Sequence, residues 1–509
     1  MPEPLQCVET SSLITGWDFS TGAVKCLAFD LKGNVVAQIR FETDLWTDAK
    51  FYELNLMQLE GQARASARSI AAQLLAQERL HNWVGGGISA THHTSGRIDV
   101  NHNQVRRAIC WNDQTLAEYH AKGMKRLKGD KKVQKLIGGP WAIRYSLSHL
   151  VKDESVLKRA DWKRTRWILP HGPLSAGYLT GRFDVISVSS AASTGMMDFR
   201  TEEWCKAMLD CLKKKSNRKM AWDCLPHIID MNEPIGPLAD HLATELGLTS
   251  GHRPLIMPTL DDQAAGLVGG GAVDDGQVAV ILGNSAVVNS SSKKRPKSGR
   301  LDVMKLSWGP YLWMRCYSNG AQFLDKIVGK KPKWKALEKA ARQVPPGCNG
   351  KSVLPFIHSE PSLGIAKPRF EWLGGEPEDM GTRYRAALEA LAYLIALGVR
   401  EHANAGQKIQ RITVSGGISQ SDLMCEILAT VLNRRIERLI SNEGPALGAA
   451  VTALAGLENH LRQKNGIKEK YTVADAVAKM VQFRDGVEPV AEWSEAYRKG
   501  LEEFEGHIA

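Results

Sequence analysis

Short apolar runs, broken by polar turns rich in glycine, recur along the chain, and each predicts a strand that delivers a turn. Leu13 to Asp18 and Val24 to Phe29 flank Phe19-Ser-Thr-Gly22 and predict a β-hairpin, with a third strand from Asn34 to Arg40. Asn55 to Gln77 is amphipathic and rich in Ala, Leu and Gln, which predicts a helix. Trp83 to Ala90 predicts a strand running into Thr91-His-His-Thr94, and Arg106 to Asp113 a shorter one ending in Trp111, Asn112 and Asp113. Leu116 to Ala160 reads as largely helical and basic. Ser187 to Thr194, rich in hydroxyls and poor in charge, suits an interior loop or a packed helix start and is assigned no chemistry.

The second half opens in the same way. Pro254 to Met257 reads as a strand, and Asp261 and Asp262 fall at a strand-to-helix turn before Gln263-Ala-Ala-Gly266. Asp is a favoured cap at such a turn. Val278 to Leu282 is a further strand, entering Gly283-Asn-Ser-Ala286. Arg383 to His402 predicts a helix and Ile409 to Val414 a strand. Ser415-Gly-Gly-Ile-Ser-Gln-Ser421 then leads into a helix from Asp422 to Val431. Glu443 to Val451 is a small-residue helix start suited to tight packing. Strand, turn, strand in both halves suggests a repeated architecture, divided at the charged linker His252-Arg253-Pro254 into residues 1–253 and 254–509.

At 509 residues the chain exceeds one ordinary core, so two large domains are expected. Hydrophobic and charged fractions of 43% and 24% describe a globular protein, and no stretch approaches the ~20 apolar residues of a membrane span. The N-terminus reads as a short disordered leader, not a secretory signal. Nine scattered cysteines without a Cys-x-x-Cys pair fit reduced thiols in a cytoplasmic protein. The net charge of +11 sits in runs at Lys125–Lys135, Lys158–Arg166, Lys213–Lys219, Lys293–Arg300 and Lys326–Lys335. The runs are dispersed and lack interleaved aromatics, which favours solvated faces over nucleic-acid binding.

The turns carry the chemistry. A carboxylate at the Asp262 turn is placed to accept a proton from a hydroxyl attacking an electrophile. Asp18, the Ser-Thr-Gly turn and Lys25 offer the carboxylate, hydroxyls, amides and cation needed to handle a polyphosphate with hydrated Mg²⁺. Gly283-Asn-Ser285 presents backbone N–H groups to phosphate, and the Gly416-Gly417 pair admits a ligand close to the backbone. His92 and His93 suit a polyol better than zinc, because adjacent side chains diverge. Each feature alone has a plainer reading: a cap, a polar hairpin, two surface imidazoles, a core tryptophan at Trp111.

Taken in order, these pieces resemble the FGGY family of carbohydrate kinases, and among them the xylulokinases most, over nearly the whole chain from Gly16 to about Gly456. Trp17 to Lys25 is similar to the family's first phosphate motif, and Ile88 to Thr94 to its sugar loop. In that loop His93 stands on the family histidine and His92 where xylulokinases usually carry Met. Ala108 to Asp113 is similar to the Trp-x-Asp segment, and Asp262-Gln-Ala-Ala to the signature holding the catalytic Asp. Gly283-Asn-Ser-Ala286 resembles the second phosphate loop, and Ser415 to Ser421 with Glu443 to Ala450 the adenosine motif.

The resemblance implies an α/β fold of two actin-like, ribonuclease-H-like domains with the site in an interdomain cleft. It also implies transfer of the γ-phosphoryl of ATP to a sugar hydroxyl. Asp262 would be the base and Asp18 the Mg²⁺ residue. Ser20, Thr21, Lys25, Gly283, Asn284, Ser285, Gly416, Gly417 and Ser421 would hold ATP. His92, His93, Trp111, Asp113, Asp262 and Gln263 would face the sugar. D-Xylulose is the first expected acceptor, with D-ribulose, erythritol or another small polyol as alternatives, and a homodimer is compatible with the family. Further positions depart from its pattern. Asp261 replaces a Gly, adding a charge that raises the base's pKa if close. Asn284 replaces Thr, Ile418 replaces the third Gly of the adenosine motif, and Gln114-Thr115 stand where Arg often follows. A non-catalytic actin-like nucleotide switch and a nucleic-acid binder are the rivals. The first is disfavoured by the presence of Asp262 and His93 together.

Overall fold

The computed structural model describes residues 6–249, 251–297, 301–329 and 332–508. The start of the leader and parts of two basic runs, residues 298–300 and 330–331, lie outside the described residues. In chain order the first elements that matter are β1 (Leu13–Phe19), β2 (Ala23–Asp30), β3 (Val35–Glu42), α1 (Leu56–Ala76) and β4 (Trp83–Ala90). Next come α2 (Ser146–Val156), α3 (His171–Thr180), α4 (Val188–Ala192), β5 (Gly236–Pro237), β6 (Leu255–Ile256), β7 (Leu260–Asp261) and α5 (Asp262–Gly269). Then follow β8 (Gln277–Leu282), β9 (Ala286–Ser292), β10 (Tyr311–Tyr317), α6 (Trp334–Ala341) and α7 (Met380–Asn404). The last are β11 (Arg411–Ser415), α8 (Asp422–Leu432), β12 (Ile436–Leu439), α9 (Gly444–Lys464) and β13 (Phe483–Val487).

These elements form two compact units. One takes in Met1–Gly269, Val303–Tyr311 and Pro445–Val481, and the other Gly270–Asp302, Leu312–Gly444 and Gln482–Ala509. The first unit therefore reaches past the expected division at residue 253. The reason lies in pairing: β6 and β7 both add to β4 in parallel, so residues 254–269 complete the first sheet instead of opening the second. Asp262, expected in the second domain, thus belongs to the first unit, and so does most of the small-residue helix α9. A Cβ on Gly448 of α9 would lie 1.8 Å from the carbonyl oxygen of Ala265 in α5, so only glycine allows this approach.

In the first unit the strand order is β5-β6-β4-β1-β2-β3, and in the second β10-β9-β8-β11-β12-β13. Each is organised on one strand. β1 pairs antiparallel with its hairpin partner β2 and parallel with β4, and β8 pairs antiparallel with β9 and parallel with β11. The repeated architecture is therefore real at the level of strand wiring. β1 is buried along its whole length, as a central strand covered on both faces should be. Edge strand β3 instead shows exposed positions through most of its length. Asn55 caps α1, its Oδ1 accepting from the Met57 amide at 3.1 Å, and Ser421 caps α8 by accepting from Met424 at 3.1 Å.

The stretch 116–164 folds as a run of helices with its own core of Trp141, Tyr145, Leu150 and Trp162. The strand predicted to end at Asp113 stops at Ile109, leaving Trp111 to Asp113 in a turn. Among the described residues no helix is long and apolar enough to cross a membrane.

Candidate active site

β4 is the first unit's delivery strand. Its neighbours β1 and β7 place Asp18 opposite Ser89 and Asp261 opposite Ala90, so both acids stand at the same end of the sheet. Asp18 is nearly buried, lies opposite Lys25 across the hairpin, and accepts from the Ser89 hydroxyl at 3.2 Å. The hydroxyl of Ser20 closes the hairpin turn, donating to the Ala23 carbonyl at 2.9 Å and accepting from the Ala23 amide at 3.1 Å. Thr21 stands half-buried beside it.

The two adjacent acids divide their tasks. Asp261 is the cap of α5: its Oδ1 accepts from the amides of Gln263 at 3.1 Å and Ala264 at 2.9 Å. Its Oδ2 accepts from the hydroxyl of Ser189, in α4, at 2.8 Å. Burial, opposed by His92 and the cap, pushes the Asp261 carboxyl above its ordinary value, with the charge of Asp262 adding to the rise. Asp262, relieved of capping, has a side chain 26% exposed, and its Oδ1 is hydrogen-bonded to Nδ1 of His92. One donor atom from each of His92, Asp261 and Asp262 lies within 4.8 Å of the others. Within the trio the hydrogen bond runs between His92 and Asp262, while both Asp261 oxygens accept from Ser189 and the start of α5.

His92 is half-buried, with a side chain 9% exposed. Burial lowers its pKa, but the charge of Asp262, their hydrogen bond and the charge of Asp261 outweigh it, with Arg144 opposing, and the net shift is upward. His93 behaves in the opposite sense. Burial, then the neighbouring His92 and Arg144, hold it well below the usual imidazole range, so it is neutral. Its backbone is left-handed at φ 67°, its Nδ1 lies 2.8 Å from the Ser193 carbonyl, and its ring stacks on Tyr145 at 4.3 Å. Nε2 of His93 has no hydrogen-bond partner among the described residues, nor has either ring nitrogen of the buried His171. His171 opens α3 and is tied to the same loop by its backbone amide, which donates to the Thr94 carbonyl at 2.9 Å. Burial lowers its pKa to about 4 against the pull of Asp262.

Two of the residues expected on the sugar side fall differently. Trp111 is 44% exposed instead of filling the core. Asp113 is buried and committed to the fold, accepting from the Thr115 amide at 2.9 Å and from the Lys152 ammonium at 2.9 Å. Gln263 contributes its backbone amide to the Asp261 cap. Ser189, Lys152 and His171 were not singled out by sequence reasoning. The low charge and hydroxyl density of Ser187–Thr194 were the only signal for Ser189.

The second unit holds a cavity of about 560 Å³ lined by Gly283 and Asn284 at one side and Gly417, Ile418 and Ser421 at another. Gly416 and Gly417 differ in kind. Gly416 has φ 93°, and a Cβ there would sit 2.4 Å from the Leu282 carbonyl oxygen, so the fold itself requires glycine. A Cβ on Gly417 would meet no atom within 4 Å among the described residues. Its missing side chain keeps cavity space open. Ser421 serves as the α8 cap while lining the cavity, and Ser285 accepts from the Gly283 amide at 3.1 Å through its carbonyl.

Family models for the N-terminal and C-terminal domains of the FGGY family of carbohydrate kinases match residues 13–269 and 279–457. The chain belongs to this family and is an ATP-dependent carbohydrate kinase. It is 27% identical to a xylulose kinase of Escherichia coli over 464 residues, covering 86% of this chain and 88% of that one. In fold it is similar to a ligand-bound xylulose kinase from Lactobacillus acidophilus (TM-score 0.81, 18% identity, 97% of each chain). It is similar to the same degree to a gluconate kinase from that organism (TM-score 0.81, 18% identity, 97% of this chain and 96% of that one).

Proposed function

We propose that the chain phosphorylates a small ketose, D-xylulose first, with Asp262 as the base that takes the proton of the attacking hydroxyl. The observation carrying this reading is the division between the two acids. Asp261 meets the helix's need for a cap, which leaves the Asp262 carboxylate partly exposed with His92 orienting it. A carboxylate held by one oxygen has the other for the acceptor, within the geometry that general base catalysis requires. The acceptor's hydroxyls would answer the unpartnered nitrogens of His93 and His171, since buried polar atoms need partners. Trp111 would lie along its carbon face.

The residues proposed for ATP are Thr21 and Lys25 in the first unit and, in the second, the Gly283-Asn284-Ser285 turn for phosphate and Gly416, Gly417 and Ser421 for the adenosine. Asp18 fits Mg²⁺, because that ion keeps several waters and is satisfied by one or two carboxylates plus substrate phosphates. When bound, the ion would neutralise charge building on the transferring phosphoryl group. Burial of Asp18 beside Ser89 limits its motion and so fixes where such an ion sits. D-Ribulose and erythritol are the alternative acceptors: the equal fold similarity to a xylulose kinase and a gluconate kinase shows that fold alone does not choose the sugar. The D-xylulose reading rests on the curated relatives' names. Nine free thiols suit a reducing compartment and support a cytosolic setting.

The test is ATP consumption with Mg²⁺ across ketopentoses, ketohexoses, polyols and glycerol. One ketose, D-xylulose, is expected to dominate, and Asp262→Asn should abolish its turnover while ATP binding persists. Measurable ATP binding with no stimulation by any of these acceptors would overturn the D-xylulose reading and point first to an unusual acceptor, and after that to the non-catalytic nucleotide switch.

A further inference from the structure

The second unit's cavity, which Gly417 lines, is also lined by Trp334, Lys335 and Glu338 of α6. Trp334, the first residue of α6, is 48% exposed yet lines this cavity. A large aromatic ring half in solvent loses apolar burial, unless something covers it. Its aromatic neighbour is Tyr384 of α7, with ring centroids 6.0 Å apart and planes tilted by 53°, so the two rings are not stacked face to face. Tyr384 is itself buried and lines the same cavity.

The helix carrying the indole is anchored. Glu338, one turn on from Trp334, accepts from the Leu423 amide at 2.9 Å, tying α6 to the first turn of α8. Arg342 continues the tie by bonding Glu426 at 2.7 Å. The indole and the Gly417–Ile418 turn that precedes α8 are thus held on connected elements. Ile418 and Leu324 add an apolar lining, and Gly417 leaves room for a flat group close to the backbone.

We propose that Trp334 is the stacking platform for the nucleobase of the bound nucleotide. This rests on the reading of Gly283–Ser285 and Gly416–Gly417 as the nucleotide's contacts. It adds a binding residue that no motif of the chain announces, since Trp334 lies inside a lysine-rich run. The cavity volume of about 560 Å³ accommodates a nucleoside. Stacking on an indole face does not depend on the base's hydrogen-bonding edge. The site should therefore accept other purine triphosphates with modest loss.

Equilibrium binding of ATP·Mg²⁺ and of inorganic tripolyphosphate to the full-length chain, without any acceptor, tests this. Trp334→Ala should weaken ATP binding about tenfold, the scale of losing one base–aromatic stack, and leave tripolyphosphate binding unchanged. Trp334→Phe should recover most of the loss, and GTP should follow the same order across the variants. Wild-type ATP affinity in Trp334→Ala would overturn the proposal, as would an equal loss of tripolyphosphate, which would mark a structural role. Failure of the wild-type chain to bind ATP at all would overturn the nucleotide reading as well, so the two failures are distinct.

Discussion

The two units share a strand diagram and differ in what stands at the strand ends. In the first, β1 and β4 lead to Asp18, His92 and His93, with Asp262 joined through β7. In the second, β8 and β11 lead to Gly283-Asn284-Ser285 and Ser415-Gly416-Gly417, which carry no ionisable side chain. One backbone pattern therefore presents titratable groups in one copy and bare backbone in the other. On the proposed function the first moves a proton. On the same reading the second lets a ligand come close to the backbone, where Gly417 leaves open space. If that contrast is right, the first end should be sensitive to charge and pH, and the second to added volume.

The largest effect should come from changing charge at the first end. Asp262→Asn should lower turnover by roughly 10²–10⁴-fold, the usual worth of a general base, with ATP affinity unchanged. Asp261→Asn is the control that sharpens it. Asn is as good a cap as Asp. Because the Asp261 carboxyl is raised in the fold, it favours the folded state only at low pH, and that contribution is lost as pH rises through its folded value. At neutral pH Asp261→Asn should then leave melting temperature equal or higher and turnover within a few-fold. Equal kinetic loss in the two variants would erase the division of labour between them.

The second end should respond to volume. Gly416→Ala forces a side chain onto φ 93° and into the Leu282 carbonyl, and should destabilise the chain by about 2–3 kcal/mol. Denaturant unfolding measures it. Gly417→Ala adds the same methyl to open space and should leave unfolding unchanged while raising the KM for ATP several-fold. Should Gly417→Ala unfold as readily as Gly416→Ala, the second glycine would be a packing residue and the cavity would lose its backbone contact.

Local pattern carried much of this into the sequence. The Leu13–Phe29 hairpin, the Val278–Leu282 strand and the Asp262 helix start are announced by apolar runs, turn residues and small side chains, each acting within a few residues. What the sequence hid depends on distant pairing. β6 and β7 join β4 from more than 150 residues away, and so the unit boundary moved to Gly269. The choice between Asp261 and Asp262 as cap is made by the Ser189 hydroxyl, supplied by a helix read as chemically silent. Trp334 was masked by its lysines, whose charge says nothing of where the indole points.

The smallest predicted effect tests whether His92 belongs with the charged end as a partner of Asp262 or as a bystander. The groups facing it are Asp262, Asp261 and Arg144, with His93 in ring contact. Its pKa is raised in the fold, so the pair stabilises the folded chain fully below the unfolded value of about 6.5. That stabilisation disappears as pH climbs through the raised folded value. His92→Met removes both partner and charge. The difference in unfolding free energy between wild type and His92→Met should be greatest at mildly acid pH, roughly 1 kcal/mol for one charge-assisted hydrogen bond, and should shrink as pH rises. Turnover should shift in the opposite sense: a cationic His92 hydrogen-bonded to the Asp262 carboxylate competes with the acceptor hydroxyl for it, so wild-type kcat should rise across the same pH window. In His92→Met that limb should flatten, whereas a bystander histidine would leave both the stability difference and the kcat profile parallel at every pH.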